Sequence, residues 1–186
     1  MRLFVALDIP AEVRRSIGDM IARLRDVARG ARWVRAEGVH VTLKFIGEMP
    51  AERVAAIEAA LRGARVAAPV EASFRGAGFF PNERHPRVFW AGVDASPNLS
   101  ELAGDVDQRL SGLGIPAEER EFRAHLTLAR FKSEDGLPRL REEIKKLEPF
   151  DFGSMRATEF YLFQSQLGPG GAKHTKLASF SFGGGA

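Results

Sequence analysis

Two short segments of this sequence set a histidine two residues before a threonine: His40-Val41-Thr42-Leu43 and His125-Leu126-Thr127-Leu128, 85 residues apart. In both, apolar residues alternate with polar ones, the two-residue period of a β-strand. Residues i and i+2 share a strand face, about 6.5–7 Å apart, so each segment offers an imidazole and a hydroxyl to the same space. An imidazole takes or gives a proton near neutral pH, and a hydroxyl hydrogen-bonds a phosphoryl oxygen with either polarity. Two imidazoles on opposite sides of a phosphorus atom suit an in-line displacement: one takes the proton of the attacking oxygen, the other protonates the leaving oxygen. Such a site requires no metal if hydroxyls and nearby cations hold the anionic oxygens. A single His-x-Thr strand reads more simply as a half-buried imidazole with its hydrogen bond made. Two copies at a matched spacing point to a shared cleft.

A second pair of blocks keeps that spacing: Arg2-Leu3-Phe4-Val5-Ala6 and Arg87-Val88-Phe89-Trp90-Ala91. Together the blocks predict an internal duplication within one bilobal domain covering residues 1–186. The elements repeat in the same order. Strands are expected over 2–7, 39–46, 70–80, 87–93 and 122–131, with Val41, Leu43 and Phe45 toward the core and His40, Thr42 and Lys44 on the other face. Helices are expected from Pro10 to near Gly30, after Pro50 and over 97–113, each with an apolar stripe, and a further helix over about 134–147. The chain then ends in strands over 158–165 and 174–182, joined by a glycine-rich turn at 167–171, with a frayed Gly183–Ala186. This pattern predicts an α+β fold of two pseudo-symmetric lobes, each an antiparallel-rich sheet with helices on its outer face, enclosing a central cleft.

Bulk properties are compatible with that reading. The 186 residues are 45% hydrophobic and 27% charged, with a formal net charge of +3, a mild basic balance that fits a phosphate-bearing partner. There is no cysteine, which excludes a disulfide framework, a thiolate nucleophile and a Cys-ligated metal. No apolar run is long enough for a membrane span, and the first residues lack a signal-peptide pattern, so a cytoplasmic protein is expected. No phosphate-binding Gly-rich loop, nucleophile elbow or metal-ligand spacing occurs.

Other residues carry a weaker signal. Lys44 shares the predicted face of His40 and can reach a phosphate or snorkel to the lobe's edge. Strict alternation puts Arg130 opposite His125, so it reaches the cleft only if the strand bulges. Phe80 and Trp33 are candidates to stack a base, with core packing the competing role; Phe79 is a weaker one. His85 lies in a proline-bounded loop among arginines and reads as exposed. Glu118-Glu119-Arg120-Glu121 reads as a solvated charge run. His174-Thr175 is not a third motif, because adjacent residues point to opposite faces.

With these residues in view, the chain resembles the two-histidine (2H) phosphoesterases, and within them the RNA 2′,3′-cyclic phosphodiesterases, also called 2′-5′ RNA ligases. The likeness covers both motifs, the opening Arg2–Leu7, Trp33–Gly47, Phe80-Pro81 with Pro86-Arg87-Val88, Phe122–Arg130 and Gln164-Ser165. It implies an RNA substrate ending in a 2′,3′-cyclic phosphate, tRNA halves or nucleotides among the candidates, hydrolysed to a 2′-phosphate by a monomer without cofactor or metal. It also implies that His40 is the proton donor and His125 the acceptor, that Thr42 and Thr127 hold phosphoryl oxygens, and that the reverse reaction joins RNA ends without ATP. The chain departs from the family at Ala124, where proline is usual, and at His174, where tyrosine is. Two other readings stay open: a 2H phosphoesterase acting on another cyclic phosphate or RNA 3′ end, and a non-catalytic RNA-binding module.

Overall fold

A computed structural model describes residues 1–169 and 171–183. Its strands are β1 (Arg2–Leu7), β2 (Ala31–Trp33), β3 (Val41–Glu48), β4 (Val70–Phe80), β5 (Val88–Ala95), β6 (His125–Phe131), β7 (Asp151–Ala157), β8 (Glu159–Gly168) and β9 (Gly171–Ser181). Its helices are α1 (Ala11–Leu24), α2 (Val54–Arg62), α3 (Asn98–Ser111) and α4 (Leu137–Leu147). The fold is α+β with two antiparallel sheets: a four-stranded sheet in the order β3-β1-β8-β9 and a five-stranded sheet in the order β2-β6-β5-β4-β7. None of the described helices is long and apolar enough to cross a membrane.

The helices form where the apolar spacing demands. In α1, Val13, Ile17, Met20, Ile21 and Leu24 are buried, and in α3, Leu99, Leu102, Val106 and Leu110 are, each set a stripe at helical spacing that only tertiary packing satisfies. The α1 helix ends at Leu24, before the Gly30 that the sequence suggested. A further strand, β7, was not legible: its Asp151-Phe152-Gly153-Ser154 start breaks alternation, and Gly153 sits at φ 109°, outside ordinary strand conformation. There α1 lies close over the sheet, with Val13 against Gly153.

The two sheets are not the two halves of the chain. The four-stranded sheet takes β1 and β3 from the first half and β8 and β9 from the second; the five-stranded sheet takes β2 and β4 from the first half and β5, β6 and β7 from the second. The helices cross as well. α1 follows a strand of the first sheet but packs on β7 of the other, and α3 follows β5 but packs on β3. Each lobe is therefore built from both halves.

The motif strands sit on β3 and β6, which touch where the sheets meet. Their register contains a matched irregularity. On β3, Thr42 pairs with Ala6 and Lys44 with Val5, leaving Leu43 unpaired. On β6, Thr127 pairs with Trp90 and Ala129 with Phe89, leaving Leu128 unpaired. Each is a β-bulge directly after the threonine, and a bulge shifts the later residues to the other face. The neighbouring strands do not keep the 85-residue spacing. Thr42 faces Ala6 and Thr127 faces Trp90, so β1 and β5 correspond at an offset of 84 and their similar sequences are one residue out of step. That slip explains why Phe89 is buried in the main core while Phe4, its partner by sequence, joins Ala6, Phe163 and Tyr161 on the opposite face of its sheet.

Candidate active site

The two histidines are held alike. Nδ1 of His40 lies 2.7 Å from the carbonyl oxygen of Gly38, and Nδ1 of His125 lies 2.7 Å from that of Arg123. A carbonyl only accepts, so Nδ1 carries the hydrogen in both rings. That leaves Nε2 as the atom that gains or loses a proton, and the backbone bond fixes the ring's orientation. Thr42 and Thr127 follow on the same faces, half-buried, beside Ala6 and Trp90 respectively. The structure thus bears out the shared face of each His–Thr pair.

The surroundings differ. His40 stacks on Phe4 with ring centroids 4.5 Å apart, and His174 meets it edge-on at 5.2 Å. Phe163 stacks with Phe4 at 5.0 Å and lies 6.1 Å from His40, so the three rings form one cluster. Burial, together with the neighbouring His174, pushes the pKa of His40 down to about 4, against the pull of the Gly38 carbonyl and Asp8. Asp8 itself bridges Arg14 at 2.5 Å and Lys176 at 2.6 Å. Burial raises its carboxyl pKa, but the two cations more than offset this and hold it below the usual range. His125 has a simpler setting: Phe80 meets it edge-on at 5.1 Å, and Trp90 packs on Phe80 at 5.2 Å. Trp90 lies over Gly78, where any Cβ would strike the indole ring.

Of the other residues singled out in the sequence, two reach this region. Phe80 lies against His125 as a candidate stacking platform. Arg130 pairs with Val88, two residues along β5 from the Trp90 that faces Thr127, so the bulge at Leu128 brings it onto the face of His125 and Thr127. Three expectations are overturned. Lys44 does not share the face of Thr42, because the bulge at Leu43 turns it inward. It is 5% exposed, with Nζ 2.5 Å from Asp107 Oδ1 on α3 and 2.6 Å from the Pro116 carbonyl. The same bulge turns Phe45 out of the core, and it is 58% exposed. Trp33 is not a stacking platform either. It pairs with Ala129, on the inner face of its sheet, and packs edge-on against buried Phe89 at 6.0 Å. His85 is exposed, as expected, and is bonded to Glu134 at 2.7 Å.

Sequence reasoning missed His174. Its hydroxyl neighbour Thr175 does point elsewhere, pairing with Gln164, but the histidine pairs with Ser165 and reaches Phe4 and His40. Its ring lies over Gly38, and its Nδ1 is buried without a hydrogen-bond partner. Burial, followed by Arg2, lowers its pKa below the ordinary imidazole value. The tyrosine that the family resemblance leads one to expect at this position was the available signal. No group of three or more His, Cys, Asp or Glu residues able to hold a metal occurs among the described residues.

A pinned imidazole with a hydroxyl two residues on, once beside β3 and once on β6, two strands in contact where the sheets meet, makes a two-histidine arrangement. A model of the LigT like Phosphoesterase family matches the chain twice, over residues 7–90 and 92–174. A protein of Archaeoglobus fulgidus named RNA 2′,3′-cyclic phosphodiesterase is 37% identical over 180 residues, covering 97% of this chain and 99% of the relative. The crystal structure of TT0787 of Thermus thermophilus superposes with a TM-score of 0.80 at 35% identity, covering 98% of both chains. E. coli LigT, solved in complex with 3′-AMP, gives a TM-score of 0.77 at 29% identity, covering 97% of both. The chain belongs to the LigT-like phosphoesterase family.

Proposed function

We propose that this protein hydrolyses RNA ends that carry a 2′,3′-cyclic phosphate, releasing a 2′-phosphate, and that His40 and His125 are its acid and base. The observation that carries the reading is the pair of equivalent imidazoles, each with Nδ1 tied to the carbonyl two residues before it and Nε2 left to exchange a proton, in a chain whose relatives are named RNA 2′,3′-cyclic phosphodiesterase. Nε2 of His125 takes a proton from water as the water oxygen bonds to phosphorus. The bond from phosphorus to the 3′ oxygen breaks, and that oxygen leaves with the proton of His40 Nε2. Thr42 and Thr127 hydrogen-bond the non-bridging oxygens as charge builds on them, and Phe80 offers a ring to the terminal base. No metal takes part. With a 5′-hydroxyl in place of water as the nucleophile, the same groups in the same roles make a 2′-5′ linkage without ATP. The protein works as a monomer in the cytoplasm, on RNA ends such as tRNA halves or on nucleotides.

An acid whose pKa lies near 4 in the free protein is neutral at pH 7. A phosphate anion beside it favours the cationic ring, so the substrate itself loads the acid. One observation favours a second reading in which the roles are exchanged: the aromatic enclosure of His40 suits a neutral base. A substrate with sulfur in place of the 3′ oxygen separates the two, because a thiolate leaves without being protonated. Turnover of that substrate returns in the variant that has lost the acid. Return in His40→Ala supports the assignment above, and return in His125→Ala reverses it. Formation of a 3′-phosphate, or activity abolished by EDTA and restored by a divalent ion, would overturn the mechanism.

A further inference from the structure

The sheet face that carries His125 and Thr127 continues past His125. On β5, Trp90, Gly92 and Asp94 alternate onto one side, with Thr127 opposite Trp90 and His125 opposite Gly92. Asp94 pairs with Ser73 on β4, and Ser73 pairs with Ser154 on β7. Together with Glu71, Ser96 and Arg156, these three line a groove of about 570 Å³. Between His125 and the groove the floor is bare backbone. Gly92 has no side chain, and β4 bulges beside it, so that any Cβ there would strike the carbonyl oxygen of Arg75. At the outer end of the groove the polar groups satisfy one another: Arg156 Nε donates to Glu71 Oε1 at 3.0 Å, and Ser96 Oγ donates to Asn98 Oδ1 at 2.5 Å. The Asp94 carboxylate is exposed and has no ion-pair partner among the described residues.

The direction of attack decides what belongs in this groove. An in-line displacement puts the entering and leaving oxygens on opposite sides of phosphorus. With His125 as the base, the entering oxygen lies on the side of His125. When that oxygen is the 5′-hydroxyl of an RNA strand, the nucleoside bearing it rests against the same wall. One way along that wall stand Phe80 and Val88, beside the terminal base of the cyclic phosphate; the other way lies the groove. Its free charge is a carboxylate, which accepts from sugar hydroxyls and repels a 5′-phosphate. Asp94 stands roughly 7 Å along the strand from Gly92, about one sugar ring from the entering oxygen. We propose that this groove seats the first nucleoside of the 5′-hydroxyl strand in the joining reaction, with Asp94 accepting a hydrogen bond from its 2′-hydroxyl. The proposal rests on the hydrolytic reading above, with His125 as base, and adds that the chain tells ribose from deoxyribose in the strand it accepts. The 5′ oxygen gives its proton to His125 Nε2 as it bonds to phosphorus, and the 3′ oxygen leaves with the proton of His40 Nε2.

The test joins a dinucleotide ending in a 2′,3′-cyclic phosphate to a 5′-hydroxyl dinucleotide and measures kcat/KM for the acceptor, beside hydrolysis of the same cyclic phosphate. Asp94→Ala is expected to lower joining about ten-fold through the acceptor KM, the loss of one hydrogen bond to a charged group, and to leave hydrolysis within about two-fold. Asp94→Asn, which keeps an accepting oxygen, should recover part of the joining. An acceptor with 2′-deoxyribose in its first nucleoside should be about ten-fold poorer with the native protein, and no poorer than the ribose acceptor with Asp94→Ala. Equal losses of joining and hydrolysis would assign Asp94 to the cyclic-phosphate strand, and a deoxyribose penalty that survives in Asp94→Ala would mean that another group reads the sugar; both overturn the proposal. So does a native protein that hydrolyses the cyclic phosphate and joins no acceptor. A native protein that turns over the cyclic phosphate in neither reaction overturns the hydrolytic reading instead. Calorimetry with the 5′-hydroxyl dinucleotide and its deoxyribose counterpart then decides the groove: a ribose preference lost in Asp94→Ala supports it, and an unchanged preference refutes it.

Discussion

The walls around His40 and His125 share a backbone and differ in almost everything laid over it. Each has a histidine pinned by Nδ1 to the carbonyl two residues back, a threonine two residues on, and a bulge immediately after. His40 then packs among Phe4, Phe163 and His174, while the aromatic neighbour of His125 among the described residues is Phe80, edge-on, with Trp90 behind it. Past the bulge, one strand shows Phe45 to the cleft and buries Lys44; the other shows Arg130 and buries Ala129. The motifs supply two interchangeable imidazoles, and their neighbours make them unequal. An acid and a base drawn from the same His-x-Thr-Leu pattern must get their difference from such second contacts, because the hydrogen bonds to the rings themselves are the same.

The largest effects should come from removing either ring. His40→Ala and His125→Ala are each expected to lower kcat by about 10²–10⁴-fold, with the double variant little worse than the more damaged single one, in a cyclic-phosphate hydrolysis assay. Near-native turnover in one of them would mean that only one wall does the chemistry. Next come the hydroxyls: Thr42→Val and Thr127→Val should each cost about 10²-fold in kcat, the low end for losing one donor to developing charge. A strongly unequal pair of losses would show that the phosphate leans on one wall.

A subtler contrast lies in pH. A kcat/KM profile reports groups of the free protein, so one break is expected near pH 4, where His40 titrates. His174→Phe keeps the burial but removes the neighbouring imidazole, and should move that break upward toward the ordinary imidazole range. An unmoved break would uncouple the two rings. Stability should follow the same sign. The folded state lowers the pKa of His40, so its contribution is complete above the unfolded value of about 6.5 and is lost as pH falls to about 4. His40→Leu should therefore flatten the decline of Tm over that window, as read by thermal melts. The smallest effect on turnover belongs to Lys44. Its pair with Asp107 joins side chains that are 4% and 23% exposed. Lys44→Ala should cost about 2 kcal/mol in denaturant unfolding, less than a fully enclosed pair because Asp107 still meets water, while kcat/KM changes by less than a few-fold.

The alternation of residues 40–43 and 125–128 was enough to place each histidine and threonine on one face, because the bulges come after them. It failed at Lys44, Phe45 and Arg130 for one reason: a bulge is a property of two strands in register, and one strand's sequence does not contain its partner. Trp33 was misread on the same account, since its partner Ala129 follows the bulge and faces inward. The 85-residue spacing holds for the motifs, whereas β1 and β5 are offset by 84; five similar residues in a buried strand tolerate a one-step slip that only pairing exposes. The helices were legible from their apolar stripes. The sheet that each would cover was not, because a stripe states that a face must be buried and does not say by what.

The exchange of strands and helices between lobes bears on how such a chain can be cut. A fragment ending before β5 would hold β1 and β3 without β8 and β9, and β2 and β4 without β5, β6 and β7, leaving open edges in both sheets. Two fragments could close those edges only by trading strands, a second-order event that weakens with dilution. Joined in one polypeptide, the missing strands are always at hand at the high local concentration set by their connections. Covalent continuity, more than any single contact between the lobes, is what keeps β3 and β6 in contact at any protein concentration.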